Sequence, residues 1–426
     1  MSTLNFLQGS FPSSATPRFV APGVSYFSSS LRMVPALSHK NPEVIVVNWE
    51  KSRNPQHEFG RMAEINMVVR HAERQIPPVP HWRFCYMTLR NNFNLGALIL
   101  HQFDIDLRNA VCVLYLSLYA LDHIEDDTSI SAEVKVPTLM AFHRLIYDQD
   151  LQFARGTKNY RVLLNNFYHV STAFMDLGLS YQEVIEDTTK KMGAGMSKFI
   201  CKEIETIDDY DEYCHYVSGL VGLGLSKLFH ASGIEDLPPG TFFHTSFVFG
   251  QKADIIQDYL EDINMTPKPR RFWPRQIWNK YTVRLEDFKY EKNSIQALHC
   301  LNDMVTNALL HAEDCLKDIS AVQDPVILRS IAGVQVTTIW ILAWCYNNIQ
   351  VFRGVETLTR GLIPVVVDGT KTISNFYRHF YKSTCILKSK IDDSDPNANK
   401  TRDRVESILK TLEGLQNFKT EVHNQE

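Results

Sequence analysis

Apolar residues return at three- and four-residue steps along the chain from about Phe59 onward, as in Leu107, Val111, Leu114 and Leu118. That spacing puts each group on one stripe of an α-helix, a stripe that must be buried. Alternating apolar and polar positions, the signature of strands, do not recur at regular intervals. Proline and glycine fall mostly between the helical runs, as in Leu237-Pro238-Pro239-Gly240 and Asp395-Pro396. There they separate helices and do not kink them. The pattern predicts an all-α fold with no internal repeat and no long linker. The economical division is a leader over residues 1–58, one helical domain over 59–390, and a polar C-terminal helix and tail over 391–426, the helix itself running from Asn399 to Leu415. The most apolar stretch, Ile331 to Cys345, is interrupted by Gln335, Thr337 and Thr338. At about 15 residues it is short for a bilayer span and reads as a core helix, so no transmembrane segment is expected.

Composition narrows the function classes. In 426 residues, 44% are hydrophobic and 22% charged, which supplies a sizeable core. A formal charge of -4 and a pI near 6.4 exclude nucleic acid as a partner, because backbone phosphates demand a basic surface. The eight cysteines form no C-x-x-C pair, which predicts buried thiols and neither a disulfide frame nor a zinc site. Residues 1 to 42 contain no Asp or Glu and recur in Ser and Pro, with Arg18, Arg32 and Lys40. Such a leader reads either as an organellar transit peptide or as a disordered tail.

Two acidic runs carry candidate chemistry. In Asp122-His123-Ile124-Glu125-Asp126-Asp127, which ends an apolar run, Asp122, Glu125 and Asp126 stand at i, i+3 and i+4 and share one helical face. In Asp258-Tyr259-Leu260-Glu261-Asp262, Asp258 and Asp262 share a face that Asp254 extends by a turn. A charge run of this kind is commonly a solvated face. A buried row, by contrast, tolerates its own repulsion only with cations among the carboxylates. Magnesium suits oxygen ligands, keeps several waters, and prefers one or two carboxylates plus substrate phosphates, so the pair suits a diphosphate held between two helices.

From about Arg70 to Thr401 the chain resembles plant squalene synthases. The resemblance rests on Arg70-His71-Ala72-Glu73-Arg74-Gln75-Ile76-Pro77, Lys191-Met192-Gly193-Ala194-Gly195-Met196, the run Asp208 to Leu228, and Cys345-Tyr346-Asn347-Asn348. It implies a single-domain isoprenoid-synthase helical fold with a central cavity, into which both acidic motifs face. It also implies head-to-head joining of two farnesyl diphosphates to presqualene diphosphate, then reduction to squalene with NADPH, with Mg2+ assisting each diphosphate departure. By the same resemblance, Asp122, Glu125 and Asp126 would hold metal for one diphosphate and Asp258 and Asp262 for the other. Tyr213 would be the catalytic tyrosine beside the carbocation, Arg270 and Lys252 would bind substrate, and Arg353 and Arg360 would bind NADPH. The family works at the cytosolic face of the endoplasmic reticulum; for this chain, peripheral membrane association or a soluble or organellar location is equally compatible.

The chain also departs from the family pattern. Phe93-Asn94-Leu95-Gly96 replaces a Ser-Arg-Ser-Phe run, Tyr119 and Gln257 replace arginines before the two motifs, and Asp254 replaces an asparagine. Thr357 and Thr359 stand where the family has a basic pair, Thr245-Ser246-Phe247 where it has Ser-Met-Gly, and Val334 where it has proline. Three functions are therefore weighed: a squalene synthase, a phytoene-synthase-like condensing enzyme needing no NADPH, and a pseudoenzyme that binds farnesyl diphosphate or a partner without turnover.

Overall fold

The computed structural model describes residues 76, 78–92, 103–151, 153, 161–234, 243–266, 269–354, 366 and 369–423. The leader, the Arg70–Glu73 stretch, Phe93–Gly96 and Thr357–Arg360 lie outside these residues. Among the described residues every regular element is a helix. The first half contributes α1 (Pro80–Asn92), α2 (Ile105–Asp126), α3 (Ala132–Leu145), α4 (Tyr168–Met175), α5 (Leu179–Ile200), α6 (Ile207–Cys214) and α7 (Leu220–Ser232). The second half contributes α8 (His244–Gln257), α9 (Tyr259–Ile263), α10 (Ser294–Ala308), α11 (Ala312–Ala321), α12 (Pro325–Cys345), α13 (Ile373–Ser389) and α14 (Ala398–His423).

Local chemistry starts the helices that matter for the site. Asp104 accepts from the amides of Asp106 and Leu107 at 3.0 and 3.2 Å and so caps α2. Thr206 and Asp209 form a reciprocal capping box at α6. Asp324 caps α12, with Pro325 in the first turn.

Two helices are central. α2 is buried around most of its circumference, 17 of its 22 residues being buried, and it packs against α1, α3, α4, α5 and α7. α8 packs against α7, α10, α11 and α12. Each central helix ends in one of the acidic motifs. Close approach of the neighbours depends on Gly193 and Gly195 of α5: a Cβ would fall 2.2 Å from the Leu139 carbonyl oxygen at the first, and 2.0 Å from the Tyr216 ring at the second. Between α6 and α7 a π-helical turn, His215–Gly219, widens an otherwise continuous helical path.

The expected core helix is α12, which begins before the apolar run and ends with it at Cys345. It is long and apolar enough to cross a membrane, yet it lies packed on α8 and α13. Gln335, which interrupts it, donates to Ser246 Oγ at 2.7 Å and to the Cys315 carbonyl at 3.0 Å. All eight cysteines are free and six are buried. The C-terminal segment differs from expectation. α14 buries Val405, Ile408 and Leu412 against the body, and its Thr401 hydroxyl meets that of Thr306 at 2.6 Å. It belongs to the helical body: Val405, Ile408, Leu409 and Leu412 at i, i+3, i+4 and i+7 form one buried apolar stripe on an otherwise polar helix.

Candidate active site

The first motif closes α2. Asp122 and Asp127 are fully buried and Asp126 nearly so. Glu125 is half-buried, but its Oε2 is enclosed and has no hydrogen-bond partner. Burial, helped by the neighbouring Asp126, pushes Glu125 up to about 8, against the pull of Arg270 and Lys135. Lys135 Nζ donates to the Glu125 carbonyl at 2.6 Å. Asp127 leaves the row: its carboxylate receives the amide and hydroxyl of Ser129 at 2.9 and 2.6 Å and turns the chain into α3.

The second motif straddles a break. α8 stops at Gln257, and Asp258 adopts φ -85°, ψ 8° before α9 begins. The amide of Asp258 still reaches the Asp254 carbonyl at 2.9 Å, and that of Asp262 reaches the Asp258 carbonyl at 3.0 Å. The row Asp254, Asp258, Asp262 therefore survives the break on one face. Burial pushes the Asp262 carboxyl well up; Arg270 opposes this, and Asp258, Glu261 and Asp126 add to it. Asp126 on α2 and Asp262 share Arg270 as a partner, which brings the two motifs together. Tyr259 points the other way, donating to the Leu285 carbonyl at 2.7 Å and packing against Trp273 and Phe352.

Arg270 joins the motifs. Its Nη1 bonds Asp126, its Nη2 lies 3.2 Å from Asp262 Oδ1, and its amide donates to the Asp262 carbonyl at 2.9 Å. The guanidinium also sits 5.3 Å from the Phe272 ring centre. Phe272 stacks on Tyr213 at 5.0 Å, and Phe199 meets the other side of Tyr213 edge-on at 5.3 Å. Burial, then Glu125, pushes the Tyr213 hydroxyl well up, so the phenol stays neutral at physiological pH. Asp122, Glu125, Asp126, Asp262, Arg270 and Tyr213, six residues singled out from the sequence, are thus assembled at one place, with Asp258 beside them.

Two other candidates lie elsewhere. Lys252 is fully buried, its Nζ 2.6 Å from Asp211 Oδ1 and 2.9 Å from Asn307 Oδ1. Arg353 donates to the carbonyls of Phe288 and Tyr290 at 2.7 and 3.2 Å and to Ser294 Oγ at 2.8 Å, fastening the 288–294 loop. Neither joins the acidic group, and Arg360 lies outside the described residues. Phe272, Phe199 and Lys135 escaped the reading of the sequence. Phe272 was signalled by its place two residues after Arg270, directly before Trp273-Pro274; an aromatic on α5 and a lysine on α3 carry no such mark.

The departures from the family pattern sit close to the site. Tyr119, one turn before Asp122, is buried with its ring 4.0 Å from that of His123. Gln257 is half-buried, with an enclosed Oε1 that has no hydrogen-bond partner. Phe247 is buried against α7, where a Cβ on Gly222 would come within 3.0 Å of its ring.

Both motifs cluster negative charge at the C-terminal ends of buried helices, the ends already negative by the helix dipole. This is an uphill arrangement that a cation relieves. Among the described residues no three His, Cys, Asp or Glu side chains form a ready-made cage for one ion. The donors fit a metal that shares its shell between one or two carboxylates, water and a phosphate.

Comparison with known proteins decides the family. The profile of the squalene/phytoene synthase family matches residues 92–360. The chain belongs to the squalene/phytoene synthase family. It is 60% identical over 353 residues to squalene synthase 2 of Panax ginseng, covering 83% of this chain and 85% of that one. To the squalene synthase of Solanum lycopersicum it is 57% identical over 350 residues, 82% and 85% of the two chains. Among solved structures, TcSQS in complex with the ligand E5700 superposes with a TM-score of 0.76 at 35% identity, over 79% of this chain and 99% of that one. These likenesses place the chain on the squalene synthase branch, among enzymes of isoprenoid biosynthesis with the all-α isoprenoid-synthase fold.

Proposed function

We propose that the chain joins two farnesyl diphosphates head to head into presqualene diphosphate and reduces this to squalene with NADPH. The observation that carries the reading is the meeting of two acidic motifs across Arg270, with Tyr213 among them, in a squalene-synthase-like fold. Asp122, Glu125 and Asp126 on one side and Asp258 and Asp262 on the other would hold Mg2+, which when bound neutralises charge on a departing diphosphate. Arg270, already poised between the rows, offers a second guanidinium edge to phosphate oxygens. Tyr213 is buried and neutral, its ring packed by Phe272 and Phe199, so it holds a proton at its hydroxyl beside the acidic rows. Phe199, Phe272 and the surrounding core exclude water that would otherwise quench the cation.

NADPH is the proposed hydride donor for the second step. Work at the cytosolic face of the endoplasmic reticulum, with peripheral membrane association, is the corresponding location. Incubation with farnesyl diphosphate, magnesium and NADPH tests the reading, with squalene as the expected product. Asp122→Asn and Asp258→Asn are expected to abolish magnesium-dependent binding of a farnesyl diphosphate analogue in calorimetry. Wild-type chain that yields no product, with binding indifferent to magnesium, would refute it.

A further inference from the structure

Lys252 lies inside the protein and away from the acidic rows, and its surroundings give it a different task from binding substrate. Its side chain has no solvent exposure, whereas the Asp211 side chain it pairs with is 46% exposed. The lysine therefore reaches through the core to a partner that opens to solvent. Asp211 stands two residues before Tyr213 on α6, and Lys252 stands two before Asp254 and six before Asp258 on α8. Asn307, the second partner, belongs to α10. The Tyr210 ring lies 5.2 Å from Nζ, and the Tyr210 hydroxyl approaches the Lys252 carbonyl at 3.5 Å.

Further along, the same two segments are joined by His215 to His244 at 2.8 Å and by Ser218 Oγ to the Phe247 carbonyl at 3.0 Å. Those contacts fall at and beyond the π turn, on the far side from Tyr213. Only the Lys252 contacts tie α6 to α8 ahead of Tyr213 among these pairs. Nζ is hydrogen-bonded to Asn307 Oδ1 and lies in ion-pair contact with Asp211 Oδ1, and a buried charge held from two elements can set the register of the segments it joins.

We infer that Lys252 is a positioning residue: its ties to Asp211 and Asn307 set the register of the Tyr213 helix against the helix that carries Asp254 and Asp258. This rests on the proposed function for its catalytic consequence, though its structural content stands apart. A misplacement near 1 Å costs a reacting group about 100-fold in rate.

The test compares full-length wild type with Lys252→Met, Asp211→Asn and the double variant. Hydrogen exchange is expected to accelerate in 207–219 and 253–258 and to stay unchanged in α12. In steady-state kinetics, kcat is expected to fall by about 10- to 100-fold with KM for farnesyl diphosphate unaltered, and the double variant to be no worse than the worse single one. Should Lys252→Met fail to fold, Asp211→Asn, at a half-exposed position, carries the same expectations. A raised KM with unchanged kcat would mean that Lys252 touches substrate, and would overturn the inference. So would a lowered melting temperature with kcat intact, or acceleration of exchange spread evenly over the chain. If wild type proves inactive, the proposed function fails and the exchange pattern alone decides the positioning role.

Discussion

Arg270→Gln removes the one guanidinium that spans both acidic motifs, and its consequences follow from the burial of the groups involved. The side chains of Arg270, Asp126 and Asp262 are 19%, 4% and 9% exposed, so solvent screens this triad weakly. Each contact taken alone, at an effective dielectric near 20, is worth about 4 kcal/mol of Coulomb attraction, most of it offset by the loss of hydration. Breaking a buried pair by deleting one partner commonly costs about 3 to 5 kcal/mol, because the stranded charge stays buried. We take about 3 kcal/mol, since Asp262, whose carboxyl is already pushed up by burial, can escape by taking a proton. In a helical body this large that corresponds to a fall in Tm of roughly 4 °C.

The loss should be greatest near neutral pH without magnesium. It should shrink in mild acid, where protonation of the stranded carboxyls relieves them, and shrink again on adding millimolar magnesium, which supplies the missing positive charge. Scanning calorimetry of wild type and variant at two pH values, with and without magnesium, measures all of this. Equal melting temperatures in magnesium-free buffer near neutrality would refute the reasoning, as would a deficit that magnesium leaves untouched.

Three further outcomes are expected. Tyr213→Phe should keep the stack on Phe272 and the melting temperature while kcat falls by about 10²- to 10⁴-fold in product assays, the range of a lost proton-transfer group; an undiminished kcat would remove the hydroxyl from the chemistry. Gly195→Ala should cost about 1 to 3 kcal/mol or more in denaturant unfolding, because its methyl would fall 2.0 Å from the Tyr216 ring and push the π turn away from α5. Burial lowers His215, and lowers His244 to about 4 and His311 to about 3. These three imidazoles take up more protons in the unfolded chain below about pH 6.5, so their contribution to stability is lost as pH falls from there towards 4; His244→Asn should make that loss smaller in pH-dependent melts.

The helical class, the two acidic rows and their facing carboxylates were legible in the sequence because each rests on local spacing. A row at i, i+3 and i+4 declares its face before any tertiary contact is known. The break at Asp258 was not legible, since a single residue with ψ near 0° leaves no mark in the pattern; the row survived it only because the amide bonds carry across. The surroundings of Lys252 were not legible either. It was named by resemblance alone, and nothing in the local pattern shows that its side chain reaches Asp211 and Asn307. Arg353 stands near the end of the matched segment, and nothing local announces that its donors close on the 288–294 loop. The embedding of α14 required knowing where the surfaces of α11 and α13 lie.

The charge balance at the site sharpens what the departures mean. Six carboxylates gather at the ends of two buried helices, and the two described positions that the resemblance in sequence marks as lost arginines hold Tyr119 and Gln257. Tyr119 packs its ring on His123, and the enclosed Oε1 of Gln257 finds no donor, so neither brings positive charge to the rows. Lys135 contributes a partial counter-charge from outside, through the Glu125 carbonyl. Arg270 is left as the guanidinium bonded to both motifs, and the same group is the one proposed to receive diphosphate. It cannot fully serve the carboxylates and the phosphates together with one set of five N–H donors. Productive binding must therefore bring enough divalent cation to release Arg270 from Asp126 or Asp262. It follows that substrate binding by this chain should depend steeply on magnesium, and that Gln257→Arg should lower that requirement. A magnesium titration of analogue binding that is identical in wild type and Gln257→Arg would break this chain of argument at the position of Gln257.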